Sequence, residues 1–179
     1  MTIVIRRAEP GEFAELGEIT ARAYLGDGLL DFGESDAYLG ELRDVAKRAA
    51  AADVLVAVEA VAGEGSGGPP RSRLLGGVTF VPSGGPMADI ARAGEAELRM
   101  LAVAKEARGR GVGTLLVRAC VDRARATAGC GAVVLSTQRT MRSAHRVYER
   151  LGFTRTPVRD WNPLPELDDV VLLTYELTL

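Results

Sequence analysis

The chain has 179 residues, 47% of them hydrophobic and 26% charged, and a formal net charge of −2. This length buries a core without staples, and this composition excludes disordered, collagen-like and disulfide-framework chains. The slightly negative balance also lacks the broad basic footprint of a nucleic-acid binder. One folded unit over residues 1–179 is therefore expected.

The N-terminus, MTIVIRRAEPGEF, places three apolar residues before a run of charge. It fits neither a signal h-region nor a membrane span, so the expectation is a cytoplasmic chain without a membrane partner. Ile3 and Ile5 alternate as in a strand, and Pro10-Gly11 supplies a helix start. Phe13, Leu16, Thr20, Ala23 and Tyr24 then recur at helical spacing, predicting a helix over 10–24. LGDGLLDFGESDAY reads as a loop, and Tyr38, Leu42, Val45, Ala46 and Ala49 predict a second helix over 36–52.

DVLVAVEAV and LLGGVTFVP are β-branched runs that predict a hairpin, with the Gly/Ser/Pro stretch from Gly63 to Arg73 as its tip rather than a domain linker. A strand follows over 95–103. Val112, Leu115, Leu116, Ala119 and Cys120 form the apolar face of a helix over 111–127, with Arg118, Asp122 and Arg125 directed to water. GAVVLST is a buried-type strand. Ala144, Val147, Tyr148 and Leu151 mark another helix, closed by Gly152 as a C-terminal glycine, and two strands end the chain. Cys120 and Cys130 have no ligand spacing and read as core residues, so no metal is expected.

The stretch ARGRGVGTLLVRA, Ala107–Ala119, runs from a strand through three glycines into a helix. At such a helix start, unpaired N–H groups and the positive end of the dipole converge, and glycines allow a phosphate to approach. Arg108 and Arg110 are expected to add positive charge. The turn lacks the Gly-Lys-Ser/Thr ending of a Walker A loop, and its glycines fall as G-x-G-x-G rather than the Rossmann G-x-G-x-x-G.

RGRGVG, with Arg108, Gly111 and Gly113, resembles the Arg/Gln-x-x-Gly-x-Gly/Ala signature of the GCN5-related N-acetyltransferase (GNAT) family. Further on, SAHRVYERLGF resembles that family's second motif through Ala144, Val147, Tyr148, Gly152 and Phe153. The resemblance implies an α+β GNAT fold, a mixed sheet of about seven strands flanked by about four helices. It also implies an N-acetyltransferase that moves an acetyl group from acetyl-CoA to an amine by direct attack in a ternary complex. A non-catalytic acyl-CoA sensor is the alternative, and a homodimer stays open.

By the same resemblance, the N–H groups from Arg108 through Gly109, Arg110, Gly111, Val112, Gly113 and Thr114 hold the pyrophosphate. The strand edge at Leu101, Ala102 and Val103 pairs the pantetheine arm, with the N–H of Val103 or its immediate neighbour polarising the thioester. Tyr148 stands where many members keep a proton donor for the thiolate. Glu97 stands where one branch keeps its general base, and alternation is expected to set Glu97, Arg99, Leu101 and Val103 on one face. Met141 replaces the Asn with which the second motif commonly starts, leaving Ser143 or Gln138 to supply that contact. His145 is expected to face solvent. The acceptor is expected to meet GDGLLDFGESD, with Asp27, Asp31, Glu34 and Asp36, and RTPVRDWNPLPELDD, with Trp161.

Overall fold

A computed structural model describes residues 2–61 and 71–179. The nine intervening positions hold most of the expected hairpin tip, which lies outside the described residues. The element order is β1 (Ile3–Arg7), α1 (Phe13–Gly26), α2 (Tyr38–Arg43), α3 (Val45–Ala51), β2 (Asp53–Val61), β3 (Arg71–Val81) and β4 (Glu95–Val103). It continues with α4 (Val112–Arg125), β5 (Ala132–Gln138), α5 (Arg142–Arg150), β6 (Thr154–Arg155) and β7 (Leu172–Thr178). Seven strands form one sheet in the order β1-β2-β3-β4-β5-β7-β6. The β4–β5 pair is parallel, connected through α4, and the other pairs are antiparallel. The mixed sheet and the α+β class match the expectation.

Period-two alternation sorts β2 onto two packed faces. Leu55 and Ala57 meet Leu116, Val117 and Cys120 of α4, whereas Val54, Val56 and Val58 meet Leu16 of α1 and Val45 of α3. The buried stripe of α4 is Val112, Leu116, Val117, Cys120, Val121 and Ala124; Leu115 and Ala119 are only half-buried. The true stripe is thus rotated toward Val117 and Val121 from the expected one. Both cysteines are free, Cys120 in the core and Cys130 half-buried.

The expected second helix is two. Asp44 leaves helical geometry at φ −80° and ψ 69°, and its carboxylate accepts from the Lys47 N–H to start α3. The break is stabilised by Arg48, which donates to the carbonyls of Glu41 and Leu42 at the end of α2. It turns Leu39 and Leu42 onto Ala21 and Met100, closing the end of the sheet where β4 and β5 part.

β4 carries a bulge. Gly77 pairs with Ala102 and Thr79 with Arg99, so one residue of β3 faces two of β4, and Met100 takes a φ of +53°. Gly76 is required beside it, because a Cβ there would run into the Ala102 carbonyl. The extra residue reverses the parity of the strand. Ala96 and Leu98 face α4, and so do Leu101 and Val103 beyond the bulge, while Met100 packs on α1 and α2. Glu97 and Arg99 therefore do not share a face with Leu101 and Val103. Simple alternation fails at Met100.

Candidate active site at the parting of β4 and β5

The described pairing of β4 with β5 stops at Leu98 and Leu135, although both strands continue. Past that point β4 keeps a partner only in β3. Ala104 donates to the Leu75 carbonyl, so by the alternation of a strand the Val103 N–H points to the other edge, into the gap. The Val103 carbonyl agrees with this, since it lies 3.5 Å from Nε of Arg108 on the gap side.

Two cavities open from this gap. The first is a groove of about 700 Å³ between the end of β4, the start of α4 and the first face of α5. Gly109 and Gly111 turn the chain into α4 at φ of +76° and +79°, conformations that cost an L side chain about 1–2 kcal/mol. Among the described residues the N–H groups of Gly109 through Thr114 donate to no backbone acceptor outside the helix, as the first turn of a helix requires. Leu101, Ala102, Val103, Gly113 and Thr114 line the groove. So does Ser143, whose Oγ accepts from Arg146 at 3.3 Å.

The arginines of the turn act differently from expectation. Arg108 lines the groove, but its guanidinium is held by both oxygens of Asp27 at 2.8 and 2.9 Å. Arg110 does not line the groove at all; its guanidinium turns back to the buried carboxylate of Glu59 on β2. Its charge is spent on the fold, because a carboxylate buried on a central strand requires a partner. Gln138 is also committed, donating to the Leu29 carbonyl at 2.6 Å, which leaves Ser143 as the candidate in place of the missing Asn.

The second cavity is a chamber of about 840 Å³ on the far side of the gap, and it shares Tyr24, Leu29, Leu101 and Met141 with the groove. Glu97 and Tyr148 both line it, approaching from opposite faces of the sheet. The strand gap makes that meeting geometrically available.

Glu97 is 1% exposed. Its Oε2 accepts from the N–H groups of Asp89, Ile90 and Ala91 at 2.9 to 3.0 Å, which pins the β3–β4 loop. Oε1 has no hydrogen-bond partner among the described residues. Burial raises the carboxyl above its ordinary pKa, against the pull of the amides of Ile90 and Ala91. Arg159 holds the same loop from behind through the Ile90 carbonyl, paired with Glu95 and Glu176.

Tyr148 is 4% exposed and packs on Phe153 and Tyr175, with ring centroids 5.9 Å apart in both pairs. Burial pushes its hydroxyl well above the ordinary tyrosine value, so it stays protonated at neutral pH. His145, expected in solvent, is half-buried instead. Its Nε2 lies 3.0 Å from the Gln138 carbonyl and its ring lies 5.5 Å from Tyr175, because the first turn of α5 doubles back on the end of β5.

The model of the acetyltransferase (GNAT) family matches residues 36–153, a span that holds the glycine turn, Glu97 and Tyr148. The chain belongs to the GNAT acetyltransferase family. A GNAT family acetyltransferase from Brucella melitensis, solved in complex with acetyl-CoA, is 26% identical at a TM-score of 0.57, covering 86% of this chain and 83% of its own. Ribosomal-protein-alanine N-acetyltransferase from the same organism shares the fold at a TM-score of 0.67 and 18% identity, covering 98% and 99%. A putative acetyltransferase from Salmonella typhimurium with its cofactor acetyl-CoA does so at 0.65 and 19%, covering 100% and 95%. No curated protein matches the chain.

Within this GNAT member the structure adds a basic rim made from none of the motifs' defining positions. Arg142, Arg146 and Arg150 project from α5 along the groove, one turn apart, and none pairs with a carboxylate among the described residues. Their spacing of four was readable in the sequence. What gives it meaning is the glycine turn across the groove.

Proposed function

We propose that the protein transfers an acetyl group from acetyl-CoA to an amine by direct attack in a ternary complex, with the groove as donor site and the chamber as acceptor site. The observation that carries this reading is the junction of the two cavities at Leu101 and Met141, with Glu97 and Tyr148 on the chamber side.

Each group has one task. The N–H groups of Gly109 through Thr114 receive the pyrophosphate, aided by the dipole of α4 and by the α5 arginines rather than by Arg110, whereas the expected Arg108 N–H is already taken by the Lys105 carbonyl. The open edge at Leu101, Ala102 and Val103 accepts the pantetheine amides as a strand would, and the Val103 N–H polarises the thioester carbonyl where negative charge develops. Glu97 takes a proton from the incoming ammonium through Oε1. The free amine forms the new C–N bond as the C–S bond breaks; Tyr148 gives its proton to the departing sulfur, and the second proton of the acylated nitrogen then restores the phenol. Ser143 supplies the hydrogen-bonding group that the thioether of Met141 cannot offer.

The upward pKa shift of Glu97 suits its assignment. A carboxyl shifted upward is a better acceptor near neutral pH, whereas the upward shift of the Tyr148 phenol keeps it protonated there but makes it a weaker acid, so its role rests on its place in the chamber. The test is thiol release from acetyl-CoA over a broad panel of primary amines, alongside calorimetric binding of CoA. Acetylation of any amine in the panel is expected. Cofactor binding with silence across the whole panel would instead favour an acyl-CoA sensor.

A further inference from the structure

The chamber carries a charge pattern that the acetyl-transfer reading does not require. Six carboxylates line it, those of Asp31, Asp36, Glu41, Asp89, Glu97 and Glu166, against one cation, Arg99. Two are answered within the protein: Glu41 by Lys47 at 2.9 Å and Asp89 by Arg99 at 2.8 Å. The other four have no cationic partner among the described residues. Asp36 accepts from the N–H groups of Phe32 and Tyr38, and Glu97 from the β3–β4 loop, so both are held in place by backbone amides rather than by a salt bridge. Among the described residues Asp31 and Glu166 make no side-chain hydrogen bond, and they stand exposed on opposite loops, one before α2 and one before β7.

These carboxylates sit at two depths. Glu97 is fully buried and lines the same chamber as Tyr148, whereas Asp31 and Glu166 are exposed on their loops. Between them the walls are aromatic and apolar: Tyr24 and Tyr38, tilted at 6.3 Å, with Trp161 fixed by its Nε1 donating to Ser136. Aromatic faces and exposed carboxylates attract a cation and repel an anion. Arg48, a buried cation nearby, does not line the chamber and serves the C-terminal end of α2.

We infer that the acceptor is a small amine with a second positive charge and no carboxylate or phosphate of its own. Its reacting nitrogen lies by Glu97 and its second cation at Asp31 and Glu166. The volume of the chamber matches a small molecule rather than a folded partner. This inference rests on the acetyltransferase reading for its reacting nitrogen, but its charge preference can be read separately.

The experiment compares putrescine, butylamine and γ-aminobutyrate, equal in length and different in charge, by kcat/KM for thiol release from acetyl-CoA. Putrescine is expected to exceed butylamine by about 10-fold, with γ-aminobutyrate slowest, and the ratio is expected to shrink in high salt. The double variant D31N/E166Q is expected to bring the ratio of putrescine to butylamine close to one; because both rates come from the same preparation, partial misfolding does not move it. Calorimetric titration of putrescine into the CoA-saturated protein runs in parallel. Acetylation of all three at equal kcat/KM overturns the charge inference and leaves the acetyltransferase reading standing. Binding of putrescine that depends on Asp31 and Glu166, without turnover, upholds the inference and overturns the catalytic reading. Neither binding nor turnover overturns both, and preference for a lysine peptide over putrescine overturns the small-molecule acceptor.

Discussion

The groove and the chamber meet at one gap between strands, yet they are built by opposite means. The groove recognises with backbone: glycine-permitted turns, unpaired amides and an open strand edge, with side-chain charge on its α5 rim. The chamber recognises with side chains, contributed by two loops far apart in the chain and set against Glu97 and Tyr148. Backbone recognition tolerates few changes of residue type because it needs positive φ at Gly109 and Gly111. Side-chain recognition can drift loop by loop, so a donor site can remain legible where an acceptor site does not.

Substitutions on the chamber side should damage turnover while sparing donor affinity. Tyr148→Phe keeps the ring against Phe153 and Tyr175 and removes only the hydroxyl, so kcat is expected to fall by about 10²–10⁴-fold with CoA affinity unchanged by calorimetry. A loss under about 3-fold would leave Tyr148 as packing. Glu97→Gln retains an oxygen for the three loop amides and removes the base, with an expected loss of about 10²-fold at neutral pH. The sign of its pH effect is fixed by the upward shift. A base works deprotonated, so wild-type kcat/KM should fall as pH drops through a value above the ordinary carboxyl range, and the variant should lose that limb. An unchanged acidic limb in Glu97→Gln removes the assignment.

Donor-side substitutions should do the reverse. Gly111→Ala meets no crowding but forces an L side chain to φ +79°, a cost of about 1–2 kcal/mol that is expected to appear as weaker CoA binding by about 10-fold. Arg146→Ala and Arg150→Ala are exposed changes, each expected to weaken CoA binding by about 2- to 5-fold at low ionic strength and hardly at all in high salt. Neither should alter the ratio between amine substrates.

What the sequence made legible follows the same division. The strands, α1, α4 and α5 were readable because apolar spacing of two or of three and four decides which face is buried, and Gly111 and Gly113 sit in a contiguous motif. The break at Asp44 was hidden, since Tyr38, Leu42, Val45 and Ala49 continue one helical stripe across it; it depends on Arg48 capping α2 from the next helix. The bulge at Met100 was hidden too, because it is enforced by Gly76 on the neighbouring strand, and it inverted the face assigned to Leu101 and Val103. Arg108 and Arg110 were read as phosphate charges, but their partners Asp27 and Glu59 lie 81 and 51 residues away. The two acidic loops were visible as composition. That Asp31, Asp36 and Glu166 share one chamber, whereas Asp27 serves the groove, is a fact of tertiary structure.

The most direct measurement is a crystal structure with CoA and putrescine bound together. The diphosphate should accept from the Gly109–Thr114 amides, the sulfur should lie between Val103 and Tyr148, and a putrescine nitrogen should point at it from beside Glu97. A diphosphate held elsewhere, or an amine outside the chamber with its nitrogen remote from the sulfur, would contradict the division of the molecule into a backbone-built donor site and a side-chain-built acceptor site.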